Sequence, residues 1–495
     1  MPHDGKSGSG AYLALVAVAT ALAGLLFGFD TAVISGTVER VQAQYGLDAV
    51  AVGLFTSSAL GGCIAGAAVA GWLGDRFGRR PNLMLAGLLF LVSAIFSMLP
   101  PSYAGLIVAR VVGGVGVGIA SVLAPTYLSE LAPPRIRGRL VAGYQLSIVI
   151  GILAAYLSNW AIIQASAAAQ ASAAAGGLGE GWLRLVLADE PWRGMFGAEI
   201  VPAGLFLTLL LLVPESPRWL IETGRLDRGR EILARIVGPE AAAAETDEIA
   251  RATAAETGTL AELFAPGLRR ALLVGVMLSV FGQLSGVNIV VYYGPKILAA
   301  AGFAETAALL GQVGFGLINL VFTILALALI DSLGRRPLLV GGMAVVAATL
   351  AVIGGLFQGI GPLADAAPAA AAAGEAVAGS AAAIAPARGL AIGVAICVYM
   401  AAIAFSICAV IWVLTPEIFP NRVRARAVSI CTLANWATNF LGAFAFPWVV
   451  ERFGMAAAFL AAAGICGLAT AFFFATVPET KGRSLEAIEA GWAGR

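Results

Sequence analysis

The chain has 495 residues, 60 % of them hydrophobic and 12 % charged, with a mean hydropathy of +0.90 and a formal net charge of +1. A soluble domain carries about 25 % charged residues, so this composition excludes an ordinary water-soluble enzyme and points to a polytopic membrane protein. The balanced charge offers no basic surface to nucleic acid, and the five cysteines and single His3 show no metal-ligand or disulfide-framework spacing.

Residues 1–10 are polar and Gly/Ser-rich. The first apolar run is longer than a signal-peptide core and lacks a clear cleavage site, so it is expected to be a retained helix. A helix needs about 20 apolar residues to cross the hydrocarbon layer. Twelve runs qualify: 12–36, 50–74, 81–99, 103–128, 138–160 and 195–213, then 270–299, 305–330, 337–358, 389–414, 427–448 and 455–476. The expected fold is therefore an all-α membrane protein with twelve transmembrane helices.

Within the first run lies one carboxylate, Asp30, which costs about 2.5 to 3.5 kcal/mol to insert and is a functional hypothesis by default. The only other charge read as intramembrane is Arg110, on the fourth helix. Among Lys and Arg, six (Arg40, Arg184, Arg193, Lys296, Arg388, Arg452) fall on one side and 23 on the other, which predicts that both termini are cytoplasmic.

Residues 214–268 are the one water-soluble stretch with helical periodicity and read as short amphipathic helices joining two halves. The predicted organisation is a six-helix half over 1–213, this linker, a second half over 269–476 and a tail over 477–495. Residues 164–180 and 361–388 are Ala/Gly-rich and read as loops or frayed helices.

The halves repeat. Gly78-Arg79-Arg80 recurs as Gly334-Arg335-Arg336 at an offset of 256, Glu130 with Arg137 as Glu417 with Arg424 at 287, and Pro214-Glu215-Ser216 as Pro478-Glu479-Thr480 at 264. Two pseudo-symmetric halves around a midplane site are the plan of the major facilitator class of transporters.

The motifs Gly74-Asp75-Arg76-Phe77-Gly78-Arg79-Arg80, Pro214-Glu215-Ser216-Pro217-Arg218-Trp219-Leu220 and Pro478-Glu479-Thr480-Lys481-Gly482-Arg483 resemble the signatures of the sugar porter family. The resemblance implies a cytoplasmic latch of Arg79, Arg80, Glu130, Arg137 and Glu215, with Arg335, Arg336, Glu417, Arg424 and Glu479 as its repeat. At helix ends, arginine can bond terminal carbonyls and nearby acids.

A neutral sugar needs amides, which both donate and accept, and an aromatic face. The resemblance places Gln145, Gln283, Asn288, Asn319 and Asn435 with Trp436 on sugar-contacting positions, Trp412 on the central aromatic and Phe27 on the lateral one. Helix 7 carries Gly282, Gly286, Gly294 and Pro295, so it is expected to break and let Tyr292 and Tyr293 cover the site from outside. Two departures stand out: Gly282 precedes Gln283 where the family has two glutamines, and Cys408-Ala409 replaces a Gly-Pro pair on helix 10.

Ile152 resembles the glucose facilitators, where a bacterial xylose symporter carries glutamine. Proton-coupled sugar porters have an Asp and an Arg at the positions of Asp30 and Arg110. The resemblance thus implies a proton-coupled importer of a hexose, glucose-like, in a bacterial inner membrane, working as a monomer in the lipid bilayer without cofactor or metal. A passive facilitator and a sugar sensor of the same fold are the alternatives; tails of about 11 and 19 residues argue against the sensor, which tends to carry long ones.

Overall fold

The structure is a computed structural model that describes residues 10–99, 102–133, 136–174, 181–253, 260–265, 268–360 and 385–482. Most of the stretch at 361–388, the tail beyond Gly482 and the side chain of Arg137 lie outside the described residues.

The first half contains α1 (Gly10–Val33), α2 (Val38–Tyr45), α3 (Ala49–Phe77), α4 (Arg79–Met98), α5 (Tyr103–Leu131), α6 (Arg137–Ala174), α7 (Trp182–Arg184), α8 (Pro191–Gly197) and α9 (Ile200–Leu212). Three short helices follow, α10 (Pro217–Glu222), α11 (Leu226–Val237) and α12 (Pro239–Thr253), packed on one another through Ile221, Leu233 and Ala242. The second half contains α13 (Leu268–Leu284), α14 (Val287–Ala300), α15 (Glu305–Leu333), α16 (Arg335–Phe357), α17 (Pro386–Phe405), α18 (Ile407–Glu417) and α19 (Asn421–Thr476). Eleven helical runs among the described residues are long and apolar enough to cross a membrane. The last holds two spans, because Gly454 (φ 81°, ψ 165°) breaks α19, which completes the twelve.

Local chemistry explains several boundaries. Ser102 accepts the Gly105 N–H at 3.2 Å and starts α5, and Ser216 accepts the Trp219 N–H at 3.2 Å with Pro217 at the first position of α10. One boundary differs from expectation. The Ala-rich stretch from 164 onward continues α6 as helix to Ala174, since alanine is the strongest helix former and Gln170 Nε2 ties the extension to the Ala188 carbonyl at 2.9 Å.

Two breaks matter more. Helix 7 is interrupted at Ser285-Gly286, with Gly286 left-handed at φ 87°, and Tyr399 OH donates to the buried Ser285 carbonyl at 2.9 Å. Helix 10 is interrupted at Ser406 (φ −111°, ψ −103°) although the Gly-Pro pair is missing. The cause is tertiary: the Ser406 side chain fills the space where Gly342 of α16 has no Cβ, and its hydroxyl back-bonds to the Ala402 carbonyl at 2.7 Å.

The described residues within 1–31, 61–152 and 196–258 form one compact unit, and those within 32–60, 153–195 and 259–495 the other. In the first unit, glycines let backbones approach. A Cβ at Gly66 of α3 would clash with the Val115 carbonyl of α5, and one at Gly118 of α5 with the Cys63 carbonyl of α3. Small residues at facing positions supply the van der Waals contact that associates helices in lipid, where burial from water supplies no force.

We predict that Gly66→Leu, which drives a bulky side chain into that backbone contact, removes most of the monodisperse protein in size-exclusion chromatography, whereas Gly71→Leu, which points to open space, leaves the yield unchanged.

Candidate functional site

In the first unit, Arg110 and Asp30 are 1 % and 0 % exposed. Arg110 Nη1 donates to Asp30 Oδ1 at 2.5 Å, and Nη2 donates to the Asp30 backbone carbonyl at 3.0 Å. The guanidinium also lies over the Phe196 ring at 5.2 Å from its centroid. Gly113 makes room: a Cβ there would meet the Ser93 side chain and lie 3.7 Å from Asp30 Oδ1.

A third charge belongs to this group. Glu199, in the turn between α8 and α9, is 1 % exposed, neither of its carboxylate oxygens makes a conventional hydrogen bond, and Asp30 and Arg110 are its electrostatic neighbours. The expectation that Asp30 and Arg110 are the only intramembrane charges is thus corrected. One signal was present in the sequence, a glutamate inside the apolar run 195–213; that it converges on Asp30 follows only from the fold.

In the second unit, the amides form a chain across the helix-7 break. Asn288 Nδ2 donates to Gln283 Oε1 at 2.5 Å, and Gln283 Nε2 donates to Asn435 Oδ1 at 2.7 Å. Asn319 is apart from this chain and accepts from Thr323 at 3.4 Å. Trp436 is buried, and Trp412 is 43 % exposed beside a small cavity shared with Asn435, Ser279 and Thr415. Phe27 and Gln145, both half-buried, belong to the first unit.

Tyr292 and Tyr293 are buried after the break. Tyr292 OH accepts from Asn439 Nδ2 at 3.0 Å, and Tyr293 OH donates to the Ala443 carbonyl at 2.8 Å. That carbonyl is free because Pro447, four residues on, has no N–H to give it. Pro295 likewise frees the Val291 carbonyl, which accepts from Gln312 Nε2 at 2.9 Å and Tyr156 OH at 3.2 Å. Both of these proline-freed carbonyls are captured by side chains, which meets the need of a lipid-embedded helix to pair its backbone groups.

At the Arg79 end of the first unit, Glu215 caps the start of α4: its carboxylate accepts the Arg79 and Arg80 N–H groups at 3.0 and 3.2 Å. Arg79 Nη2 pairs with Glu130 at 2.9 Å, and Arg80 donates to the Leu210 and Leu211 carbonyls at 2.8 and 3.0 Å. The second unit repeats this plan. Glu479 accepts the Arg335 and Arg336 N–H groups, both at 3.1 Å, Arg335 pairs with Glu417 at 3.1 Å, and Arg336 donates to the Phe474 carbonyl at 2.7 Å. Arg424 donates to the Phe419 carbonyl. Partial burial alone would raise the Glu479 carboxyl; N–H groups of Lys481, Arg335, Arg336 and Thr480 outweigh it and hold it below the usual carboxylate range. Its contribution to stability is therefore present above the ordinary carboxylate value and lost as pH falls through the lowered one.

The model of the family described as "Sugar (and other) transporter" matches residues 16–492. The arabinose-proton symporter of Bacillus subtilis is 37 % identical over 489 residues, covering 98 % of this chain and 96 % of that protein. The glucose transport protein of Synechocystis is 35 % identical over 477 residues, covering 96 % of each. Among solved structures, the inward open conformation of the xylose transporter XylE from E. coli aligns at a TM-score of 0.78 and 33 % identity over 97 % of this chain and 100 % of that one.

A double-mutant cycle tests the carbonyl capture. Tyr293→Phe leaves the buried Ala443 carbonyl unpaired and is expected to cost about 1 to 3 kcal/mol; in a Pro447→Ala background, where the helix regains the missing N–H, thermal melting in detergent should show well under half that loss.

Proposed function

The chain belongs to the sugar transporter family, and from that premise we propose that it imports a monosaccharide together with a proton by alternating access. The observation that carries the proton coupling is the buried group of Asp30, Arg110 and Glu199. One guanidinium neutralises one carboxylate. A second carboxylate at the same depth is costly to keep ionised, so the group is built to hold an exchangeable proton. When rocking separates Asp30 from Arg110, the freed carboxylate takes up a proton; when the pair reforms, it releases it.

The energy suffices. One proton moving down about 150 mV supplies about 3.4 kcal/mol, near 300-fold accumulation of a neutral sugar.

The sugar lies, on this reading, between the two six-helix halves, residues 1–213 and 269–476. It contacts Phe27 and Gln145 on one side and Gln283, Asn288, Asn319, Trp412, Asn435 and Trp436 on the other. Tyr292 and Tyr293 close the outer side. The paired Arg-Glu clusters around Glu215 and Glu479 latch the cytoplasmic side, with both termini cytoplasmic in a bacterial inner membrane and the monomer as the working unit. Ile152 and the glucose-transporting relative support a glucose-like hexose. D-xylose and L-arabinose are the comparison substrates, because the arabinose-proton symporter and the xylose transporter align over almost the whole chain.

The deciding experiment is uptake of labelled D-glucose, D-xylose and L-arabinose into proteoliposomes with and without an imposed pH gradient. Accumulation of at least one sugar only with the gradient is expected; equal uptake in both conditions means a passive facilitator, and silence across the panel overturns the substrate class. Asp30→Asn should abolish gradient-driven accumulation while retaining sugar counterflow, and Glu199→Gln should shift the pH dependence of uptake. Gln283→Ala removes two hydrogen bonds and should weaken sugar binding about 5- to 150-fold, read by counterflow half-saturation.

A further inference from the structure

A cavity of about 450 Å3 opens in the second unit between α2, the end of α14 and the Phe446–Met455 stretch of α19. It lies at the Glu305 end of α15, a helix of 29 residues, and so about 43 Å from the Arg335 end. Tyr293 closes its inner side, tilted against Phe446 with ring centroids 5.0 Å apart.

The lining joins apolar Phe446, Pro447 and Val450 with polar Glu39, Gln42, Lys296 and Glu451. Lys296 Nζ donates to Gln42 Oε1 at 3.1 Å, and among the described residues no carboxylate lies within ion-pair distance of it. An ammonium has three donors, so one is committed and the others are available to the cavity. Glu39 is exposed and lines the cavity. Desolvation raises its carboxyl above the ordinary value, with Lys296 and Arg40 pulling it down and Glu305 adding to the rise.

We infer that this cavity is a second, outer binding site for a neutral monosaccharide, held on its hydroxyls by Glu39, Gln42, Lys296 and Glu451 and on its apolar ring face by Phe446 and Pro447. The volume lies within the roughly 300 to 1,000 Å3 of small-molecule sites. Hydroxyls both donate and accept, which matches a wall that mixes an ammonium, an amide and carboxylates. Three acids, Glu39, Asp48 and Glu451, against one Lys296 disfavour an anionic ligand. A hard metal ion takes oxygen ligands and would leave Phe446, Pro447 and Val450 unused. The site rests on the transport reading above: sugar would be collected here, directly outside Tyr293, before the gate moves.

The test uses the full-length protein with Ala43, an exposed lining residue, changed to cysteine. Its labelling rate by a membrane-impermeant maleimide is measured with D-glucose, D-xylose or L-arabinose present. At a concentration about four times its Kd for the site, at least one sugar should slow labelling about fivefold. Protection should persist when Gln283→Ala disables the inner site, and it should be lost in Lys296→Met and in Glu451→Gln. Protection that disappears with Gln283→Ala, that survives both outer variants, or that no sugar gives, overturns the outer site. A failure of the transport reading shows separately, as wild-type proteoliposomes that accumulate none of the three sugars.

Discussion

A guanidinium that is 1 % exposed inside an apolar helix bundle cannot exist without acceptors, and the first unit is arranged around meeting that need. Arg110 receives the Asp30 carboxylate and the Asp30 carbonyl on two of its nitrogens and the Phe196 face on its plane. Gly113 and the close passage of α1 against α6, where Gly28 faces the Ile148 carbonyl and Gly151 the Leu25 carbonyl, hold Asp30 at the required depth. Glu199 then gives the group two carboxyls against one guanidinium. A tether between two helices needs one acid and one base and leaves no carboxyl over; the extra carboxyl is the observation behind the proton exchange proposed above.

The repeated end clusters show a division of labour that the motif alone does not reveal. In both, the glutamate of the Pro-Glu-Ser/Thr segment caps backbone N–H groups, and the glutamate at the end of α5 or α18 takes the guanidinium. Gly78 and Gly334 make this geometry reachable, with φ of 96° and 90°, because the chain must turn so that two successive N–H groups point at one carboxylate. A Cβ at either position would also run into that carboxylate. The glycine, the arginines and the distant glutamate are therefore one unit of chemistry, and this is why they recur together at three different offsets.

Much of this was legible in the sequence wherever a local rule decides the outcome. Twelve apolar runs set the spans, Gly286 marked the helix-7 break, and mixed charge marked α10 to α12. What escaped was decided by tertiary contact. Ser406 breaks helix 10 because of Gly342 on another helix, and neither glycine nor proline stands at the break to announce it. Glu199 lay in plain view in an apolar run, but a single sequence does not say which carboxylates converge. Arg424, seven residues from Glu417 as Arg137 is from Glu130, bonds a carbonyl in its own turn, while Glu417 takes Arg335 and Thr480. The repeat was readable as a pattern, its partners only as geometry.

The amide chain of the second unit bears on how tightly a sugar can be held. Asn288, Gln283 and Asn435 are bonded in series, so at the sugar site proposed above a sugar exchanges some hydrogen bonds and adds others only at the uncommitted amide groups, such as Asn288 Oδ1 and Asn435 Nδ2. The net gain of such an exchange is about 0.5 to 1.5 kcal/mol per bond, far below the gross strength of the bonds themselves. That small gain suits a carrier, which must release on one side what it binds on the other. Gly282 fits the same logic: a second glutamine there would add another donor and acceptor to the chain, whereas glycine leaves ordinary van der Waals space beside Ile407 and Ile411, 3.6 and 3.5 Å from where a Cβ would be. The same accounting governs Tyr292 and Tyr293, whose hydroxyls are held by Asn439 and the Ala443 carbonyl. In the gate role proposed above, opening on that side must replace these bonds with water or sugar, and the proline that frees the carbonyl gives the tyrosine a specific partner to return to.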